Sequence, residues 1–263
     1  MRLFAVIGNP ISHSKSPKMH NFAIKQLELD AFYGRIKLEQ GKDLISILKN
    51  RFLDGINITV PYKEDAFEVA DILGEREKKI GAINTLVNKN GKYYGYNTDI
   101  DGIIASIQNF PKIKNGLILG AGGTARAASI AFLEQNIKPT ILNRTTQILD
   151  FFKNLGIDSY SYDDFRVSDF DFIFNTTSAG LSDDSYPLEV DILEQLFSYS
   201  PSVMDAIYGK ETPFLNLAKK FDLNLKDGED MLLWQGAYAF THFFGESYKA
   251  SNIYPLLKKG VTL

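Results

Sequence analysis

Cysteine is absent from all 263 residues. Disulfides, thiolate nucleophiles and cysteine-bound metals are therefore excluded, and a reducing compartment suits the chain. Histidine is nearly as scarce: His13, His20 and His242 share no ligand spacing of the H-E-x-x-H kind, so no metal site is expected. Neither charge dominates. The 29 Lys and Arg against 32 Asp and Glu leave a net charge of −3, and no basic block offers a nucleic-acid surface. Long apolar runs are missing too. Residues 3–7 are too short for a signal core and end at Gly8-Asn9-Pro10, and no stretch reaches the length of a membrane span. A cytoplasmic protein is expected, with neither nucleic acid nor membrane as partner. Repeats and low-complexity tracts are also lacking.

What the chain does have is a glycine cluster between a strand and a helix. The run Leu117-Ile118-Leu119-Gly120-Ala121-Gly122-Gly123-Thr124-Ala125-Arg126 contains a G-x-G-x-x-A pattern. Such a turn brings backbone N–H groups and a helix N-terminus to a pyrophosphate. A tight turn without a ligand gives the same glycines, so the context decides. A strand precedes the turn, an alanine-rich helix follows it, and the next strand-like run ends in Asn143-Arg144-Thr145. Enzymes that use NAD carry a carboxylate at that place. Arg144 there suits a ribose 2′-phosphate, which a guanidinium pairs bidentately, so NADP is favoured over NAD.

Apolar patterning divides the chain into two α/β halves. In the first, strands are expected at 3–7, 31–38 and 55–60, helices from Pro17, at 43–50 and at 64–73, and a hairpin at 82–88 and 93–96 turning at Asn90-Gly91. A helix over 99–109 and a linker at 111–115 lead to the second half. There, strands at 117–119, 140–143, 170–175 and 202–206 alternate with helical segments, the first at 123–135, and imply a mostly parallel sheet covered on both faces. Helices at 229–244 and 253–258 close the chain. Two such units imply a cleft, a common place for a small ligand.

Polar residues gather at the ends of the elements of the first half: Ser14, Ser16, Thr59, Lys63, Asn84, Asn97, Thr98 and Asp99. Each alone reads as a cap, a turn residue or a solvated lysine. As a set they suit a small, polyhydroxylated, anionic ligand.

Six segments carry a more specific signal: Asn9-Pro10-Ile11-Ser12-His13-Ser14-Lys15-Ser16-Pro17-Lys18-Met19-His20-Asn21, Asn57-Ile58-Thr59-Val60-Pro61-Tyr62-Lys63, Gly81-Ala82-Ile83-Asn84-Thr85-Leu86, Gly95-Tyr96-Asn97-Thr98-Asp99-Ile100-Asp101-Gly102, Asn175-Thr176-Thr177-Ser178-Ala179-Gly180 and Gln235-Gly236-Ala237-Tyr238-Ala239-Phe240. In this order, over nearly the whole chain, they resemble the motifs of the shikimate dehydrogenase family. The resemblance implies a two-domain α/β fold. A substrate domain with a mixed sheet spans 1–100 and is completed by helices at 228–263, and a Rossmann-like, doubly wound NADP domain spans 101–227. It also implies reversible reduction of 3-dehydroshikimate to shikimate by NADPH, a step of aromatic amino-acid biosynthesis, in a monomer or homodimer.

Carried over position by position, the resemblance implies that Ser14 and Ser16 bind the substrate carboxylate. Thr59, Lys63, Asn84, Asp99 and Gln235 hold the ring hydroxyls and the reacting oxygen, and Tyr208 lies near the substrate. Gly120, Ala121, Gly122, Gly123 and Thr124 cradle the pyrophosphate, and Asn143, Arg144 and Thr145 meet the 2′-phosphate. Ala206 and Gly228 lie by the nicotinamide. Lys63 and Asp99 are the expected catalytic couple, because hydride attack on a ketone leaves charge on oxygen that a positioned proton donor stabilises. The chain departs from the family pattern in places. Thr146, Gln147 and Ile148 are uncharged where a second basic residue is common, Ala206 stands where Met is common, and Trp234 is a bulky neighbour for Gln235. A quinate/shikimate dehydrogenase of broader range that uses NAD is the nearest alternative, and Arg144 and Ser16 weigh against it. A folate-linked dehydrogenase would not need Ser14 and Ser16. A non-catalytic dinucleotide-binding regulator would not keep both Lys63 and Asp99.

Overall fold

The computed structural model describes residues 1–50, 52–245 and 247–262. It separates into two compact units, Met1–Gly102 with Leu233–Leu263, and Ile103–Leu232.

The first unit opens with β1 (Arg2–Gly8), an apolar strand buried from Phe4 onward. Pro17 then starts α1 (Ser16–Gln26), where its missing N–H costs nothing. The chain continues through β2 (Ala31–Lys37), α2 (Leu44–Asn50), β3 (Gly55–Ile58) and α3 (Lys63–Val69). Next come β4 (Ile72–Leu73), α4 (Glu75–Ile80), the hairpin of β5 (Thr85–Lys89) and β6 (Lys92–Tyr96), and α5 (Thr98–Ile107). The sheet order is β2-β1-β3-β5-β6-β4. Strands β1, β2 and β3 run parallel, while β5 is antiparallel to both β3 and β6. The sheet is therefore mixed, as the family resemblance implies. Ile7, Ile56, Ile58, Leu44, Leu48 and Ala66 are at the heart of its core.

The continuous helix expected over 64–73 is a correction. Helix α3 stops at Val69 and Ala70 is extended (φ −75°, ψ 131°). Asp71 explains the break: its N–H donates to the Tyr93 carbonyl (2.8 Å) and its carboxylate accepts the Tyr93 N–H (2.7 Å). These bonds carry Ile72 and Leu73 onto the sheet edge beside β6. Tertiary pairing overrides a helical pattern that is locally sound.

The second unit holds β7 (Asn115–Leu119), α6 (Gly123–Glu134), β8 (Lys138–Leu142), α7 (Asp150–Asn154) and β9 (Asp158–Tyr160). It continues with β10 (Phe172–Asn175), α8 (Val190–Tyr199), β11 (Ser202–Asp205), α9 (Pro213–Ala218) and β12 (Asn224–Lys226). The six strands lie in the order β12-β11-β10-β7-β8-β9, every neighbouring pair parallel. Two βαβαβ halves meet between β7 and β10, the doubly wound, Rossmann-like arrangement in which ligands bind beyond the C-terminal strand ends. Leu117, Leu119, Ile173, Val203, Phe197 and Phe214 belong to its core.

Two helices close the chain, α10 (Glu229–Phe244) and α11 (Ala250–Thr262). Helix α11 is longer at both ends than the expected 253–258. The division between the units falls within α5 and within α10, so Gly228 belongs with the second unit rather than with the C-terminal helices. Among the described residues no helix is long and apolar enough to cross a membrane.

Candidate active site

In the first unit, Lys63 is the first residue of α3 and Asp99 the second of α5. Their side chains meet, Lys63 Nζ donating to Asp99 Oδ2 at 2.6 Å, with side-chain exposures of only 15% and 9%. An ion pair taken this far from water is costly unless its remaining polar atoms are satisfied. Asn84 satisfies the second carboxylate oxygen, donating from Nδ2 to Asp99 Oδ1 at 2.9 Å. Asn84 is itself fixed, because its Oδ1 accepts the Thr98 N–H at 2.8 Å. Local structure brings these residues together. Ile83 N–H donates to the Lys63 carbonyl (3.0 Å) and Ile58 N–H to the Asn84 carbonyl (2.8 Å), which ties the segment before β5 to the start of α3 and the end of β3. Thr59 lies half-buried beyond β3, and its carbonyl accepts the Tyr62 N–H (3.1 Å) in the turn that launches α3.

The two serines form a second group in the same unit. Ser16 is 6% exposed at the start of α1, and its N–H donates to Ser14 Oγ at 3.3 Å. Arg35 Nη2 donates to the Ser14 carbonyl at 2.5 Å. Gln235 is half-buried within α10. Asn97 proves structural: buried, it donates to the Ala82 carbonyl at 2.9 Å.

Three residues join this set that the motif reading did not assign, namely Tyr33, Asn57 and Thr85. Tyr33 donates its phenol proton to Asn57 Oδ1 at 2.6 Å, and Asn57 Nδ2 donates to Thr85 Oγ1 at 2.9 Å. Burial pushes the Tyr33 phenol well up, with a hydrogen bond from Ser16 acting the other way. His20 stacks on Tyr33, ring centroids 4.3 Å apart and planes 6° apart. Its ring nitrogens are buried without a hydrogen-bond partner, and burial lowers its pKa to about 3. Asn57 and Thr85 stand inside quoted motifs. Tyr33 has only its place in a β-strand to mark it.

In the second unit the candidate cofactor loop is made of backbone. Gly120 has φ +102°, a conformation that strains any residue with a Cβ, and a Cβ there would stand 2.9 Å from Thr176 Oγ1. Gly122 caps α6, with no side-chain hydrogen bond made at the cap and open space where its Cβ would be. The N–H groups of Gly123 and Thr124 in the first helical turn are therefore available to an anion. Ala121 is buried at the loop's base. A dinucleotide pyrophosphate fits this donor set.

Side chains brace the strand ends around the loop. Thr176 Oγ1 donates to the Leu119 carbonyl (2.6 Å), Asn175 Oδ1 accepts from Thr177 Oγ1 (2.8 Å), and Asn175 Nδ2 donates to Asp205 Oδ1 (3.2 Å). Asp205 also accepts the Ile207 N–H (3.0 Å) and the Thr212 hydroxyl (2.6 Å). Burial raises its carboxyl pKa, and these hydrogen bonds oppose the rise. The segment so anchored begins with Ala206 and Tyr208. A Cβ on Gly228 would overlap the Ala206 carbonyl, so these two candidate nicotinamide residues touch through backbone. Tyr208 belongs to this unit, and burial raises its phenol pKa. Past β8, Asn143 Nδ2 donates to the Thr145 carbonyl (2.9 Å), which shapes the turn that leaves Arg144 exposed.

Comparison with known proteins shows the family. Residues 6–86 match the family described as the shikimate dehydrogenase substrate binding domain. The Helicobacter hepaticus protein named shikimate dehydrogenase (NADP(+)) is 42% identical over 252 residues, 95% of this chain and 94% of its own length. The shikimate 5-dehydrogenase of Thermus thermophilus, solved in complex with NADP(H) and shikimate, superposes with a TM-score of 0.85 at 30% identity, covering 99% of this chain and all of that one. The shikimate dehydrogenase of Aquifex aeolicus gives a TM-score of 0.86 at 33% identity, over 99% and 97% of the two chains. With identity of this degree over nearly its full length, the chain belongs to the shikimate dehydrogenase family.

Proposed function

We propose that this protein interconverts shikimate and 3-dehydroshikimate with NADP as the redox partner, Lys63 and Asp99 acting at the reacting oxygen. The observation that carries the reading is the 2.6 Å contact between the two side chains, in a nearly buried setting where Asn84 occupies the other carboxylate oxygen.

The nicotinamide, when bound, gives or takes the hydride. In reduction, the carbonyl oxygen becomes an alkoxide, and Lys63 Nζ hands it a proton to complete the hydroxyl. In oxidation the same nitrogen receives the hydroxyl proton as hydride leaves the carbon. Asp99 holds Nζ in place. Ser14 and Ser16 bind the substrate carboxylate with neutral hydroxyls. Thr59, Asn84 and Gln235 hold the ring hydroxyls, and Tyr208 lies near the substrate. Gly120 to Thr124 take the pyrophosphate, Asn143, Arg144 and Thr145 the 2′-phosphate, and Ala206 and Gly228 flank the nicotinamide through backbone. Residues 1–100 with the C-terminal helices thus serve the substrate, and the intervening residues serve NADP.

The test is direct. The purified protein is given shikimate and NADP, and NADPH formation is followed at about 340 nm, where the reduced nicotinamide absorbs. Turnover is expected with shikimate, with quinate slower and NAD poorer. No turnover of shikimate with either cofactor overturns the reading. Equal rates with NAD and NADP overturn the cofactor preference alone.

A further inference from the structure

A chain of side-chain hydrogen bonds runs from Tyr33 to Asp99, and one backbone group fixes its direction. The Thr98 N–H can only donate, and it donates to Asn84 Oδ1. This turns the Asn84 amide nitrogen toward Asp99. Thr85 Oγ1 donates to the same Asn84 oxygen at 3.1 Å, and so its own oxygen accepts from Asn57 Nδ2. Asn57 Oδ1 is then the atom that accepts the Tyr33 phenol proton. Every donor in the series points toward the Asp99 carboxylate, an arrangement in which successive bonds polarise one another.

We propose that Tyr33 and Thr85 are positioning residues that, through Asn57, hold Asn84 against the Asp99 carboxylate of the Lys63–Asp99 couple. This rests on the function proposed above. The Thr85 hydroxyl holds Asn84 Oδ1 and is itself held, through Asn57, by the Tyr33 phenol, so loss of either hydroxyl loosens the Asn84 amide beside Asp99. Tyr33 and Thr85 are 1% and 0% exposed, so water does not substitute for either hydroxyl. Tyr33 is also held rigidly. His20 stacks on its ring, and Asn21 bonds both its N–H (2.9 Å) and its carbonyl (2.8 Å).

A double-mutant cycle on shikimate oxidation tests this. Tyr33→Phe and Thr85→Val are each expected to lower kcat/KM for shikimate by roughly five- to tenfold, the scale of one buried hydrogen bond, with KM for NADP unchanged. The double variant should be no worse than the weaker single one, because either change severs the same series. Thr85→Ser should restore activity. A multiplicative double variant, or single variants indistinguishable from wild type, overturns the proposal. If Thr85→Val does not fold, Thr85→Ala takes its place in the cycle, and the same non-additivity supports the proposal while a multiplicative double variant overturns it. Wild-type protein inactive with shikimate overturns the proposed function itself, so the two failures are distinguishable.

Discussion

The candidate sites of the two units are built from opposite materials. In the first, the candidate site is a mesh of side chains: Lys63, Asp99, Asn84, Thr85, Asn57 and Tyr33 are linked by bonds of 2.6 to 3.1 Å, with the last five buried. In the second, the loop at Gly120 offers N–H groups and a helix end, and side chains such as Thr176 and Asn175 brace it from outside. The difference follows from the tasks. A proton must be moved at one atom of a small hydroxylated ring, which needs titratable groups at fixed positions. A pyrophosphate needs only partial positive charge, which a helix N-terminus supplies. Substitution in the first unit should therefore damage chemistry, and in the second, affinity and choice of cofactor.

Lys63→Ala offers the sharpest test of that contrast. It removes the proposed proton donor and leaves the buried Asp99 without its cation. We expect kcat to fall roughly 10²–10⁴-fold with a smaller change in KM for shikimate. Steady-state kinetics with both substrates varied give the split. An unchanged kcat would remove Lys63 from the chemistry, and with it the idea that the first unit is the chemical one.

Arg144→Ala comes next. Its side chain is exposed, on a turn shaped by Asn143. Its loss should raise KM for NADPH about 10- to 100-fold, the scale of a charge-assisted bidentate contact, and barely alter KM for NADH. Comparing the two cofactors on one protein preparation measures this. Equal losses would mean that Arg144 does not read the phosphate.

How much of this was legible beforehand differs between the units for the same reason. A backbone site advertises itself in a short window: Gly120, Gly122, the flanking strand and helix, and Arg144 after the next strand all follow from local sequence. A side-chain mesh does not. Lys63, Asn84 and Asp99 stand out through family motifs, yet the bonds that join them cross 36 and 15 positions. Tyr33 bonds Asn57 across 24 positions from a strand of alternating exposure, where an aromatic residue signals packing and nothing more. The false continuation of α3 to residue 73 has the same origin, since Asp71 and Tyr93 are paired by the sheet and not by the helix. The place of Gly228 beside Ala206 is likewise a property of packing, which no local pattern announces.

The smallest expected effect concerns acid. All three histidines lie in the first unit. Burial lowers the pKa of His20 to about 3 and that of His242 to about 4, against 6.5 for the free side chain. Between those values and 6.5 the unfolded chain binds protons that the folded chain refuses. Stability is therefore full above about pH 6.5 and declines as pH falls, by up to about 1.4 kcal/mol per pH unit for each such group. The second unit contains the opposite case. Asp205 has a raised pKa, so its folded form takes a proton at a pH where the unfolded form is still ionised, and acid relieves the cost of burying its charge. Hydrogen exchange read separately over the two units between about pH 7 and pH 5 should show protection falling first in the first unit. His20→Phe keeps a flat ring against Tyr33 and removes one titrating group. It should flatten that loss in the first unit and leave the second unchanged. Equal acid sensitivity in both units, or a slope unaffected by His20→Phe, would show that the buried histidine does not set the acid limit.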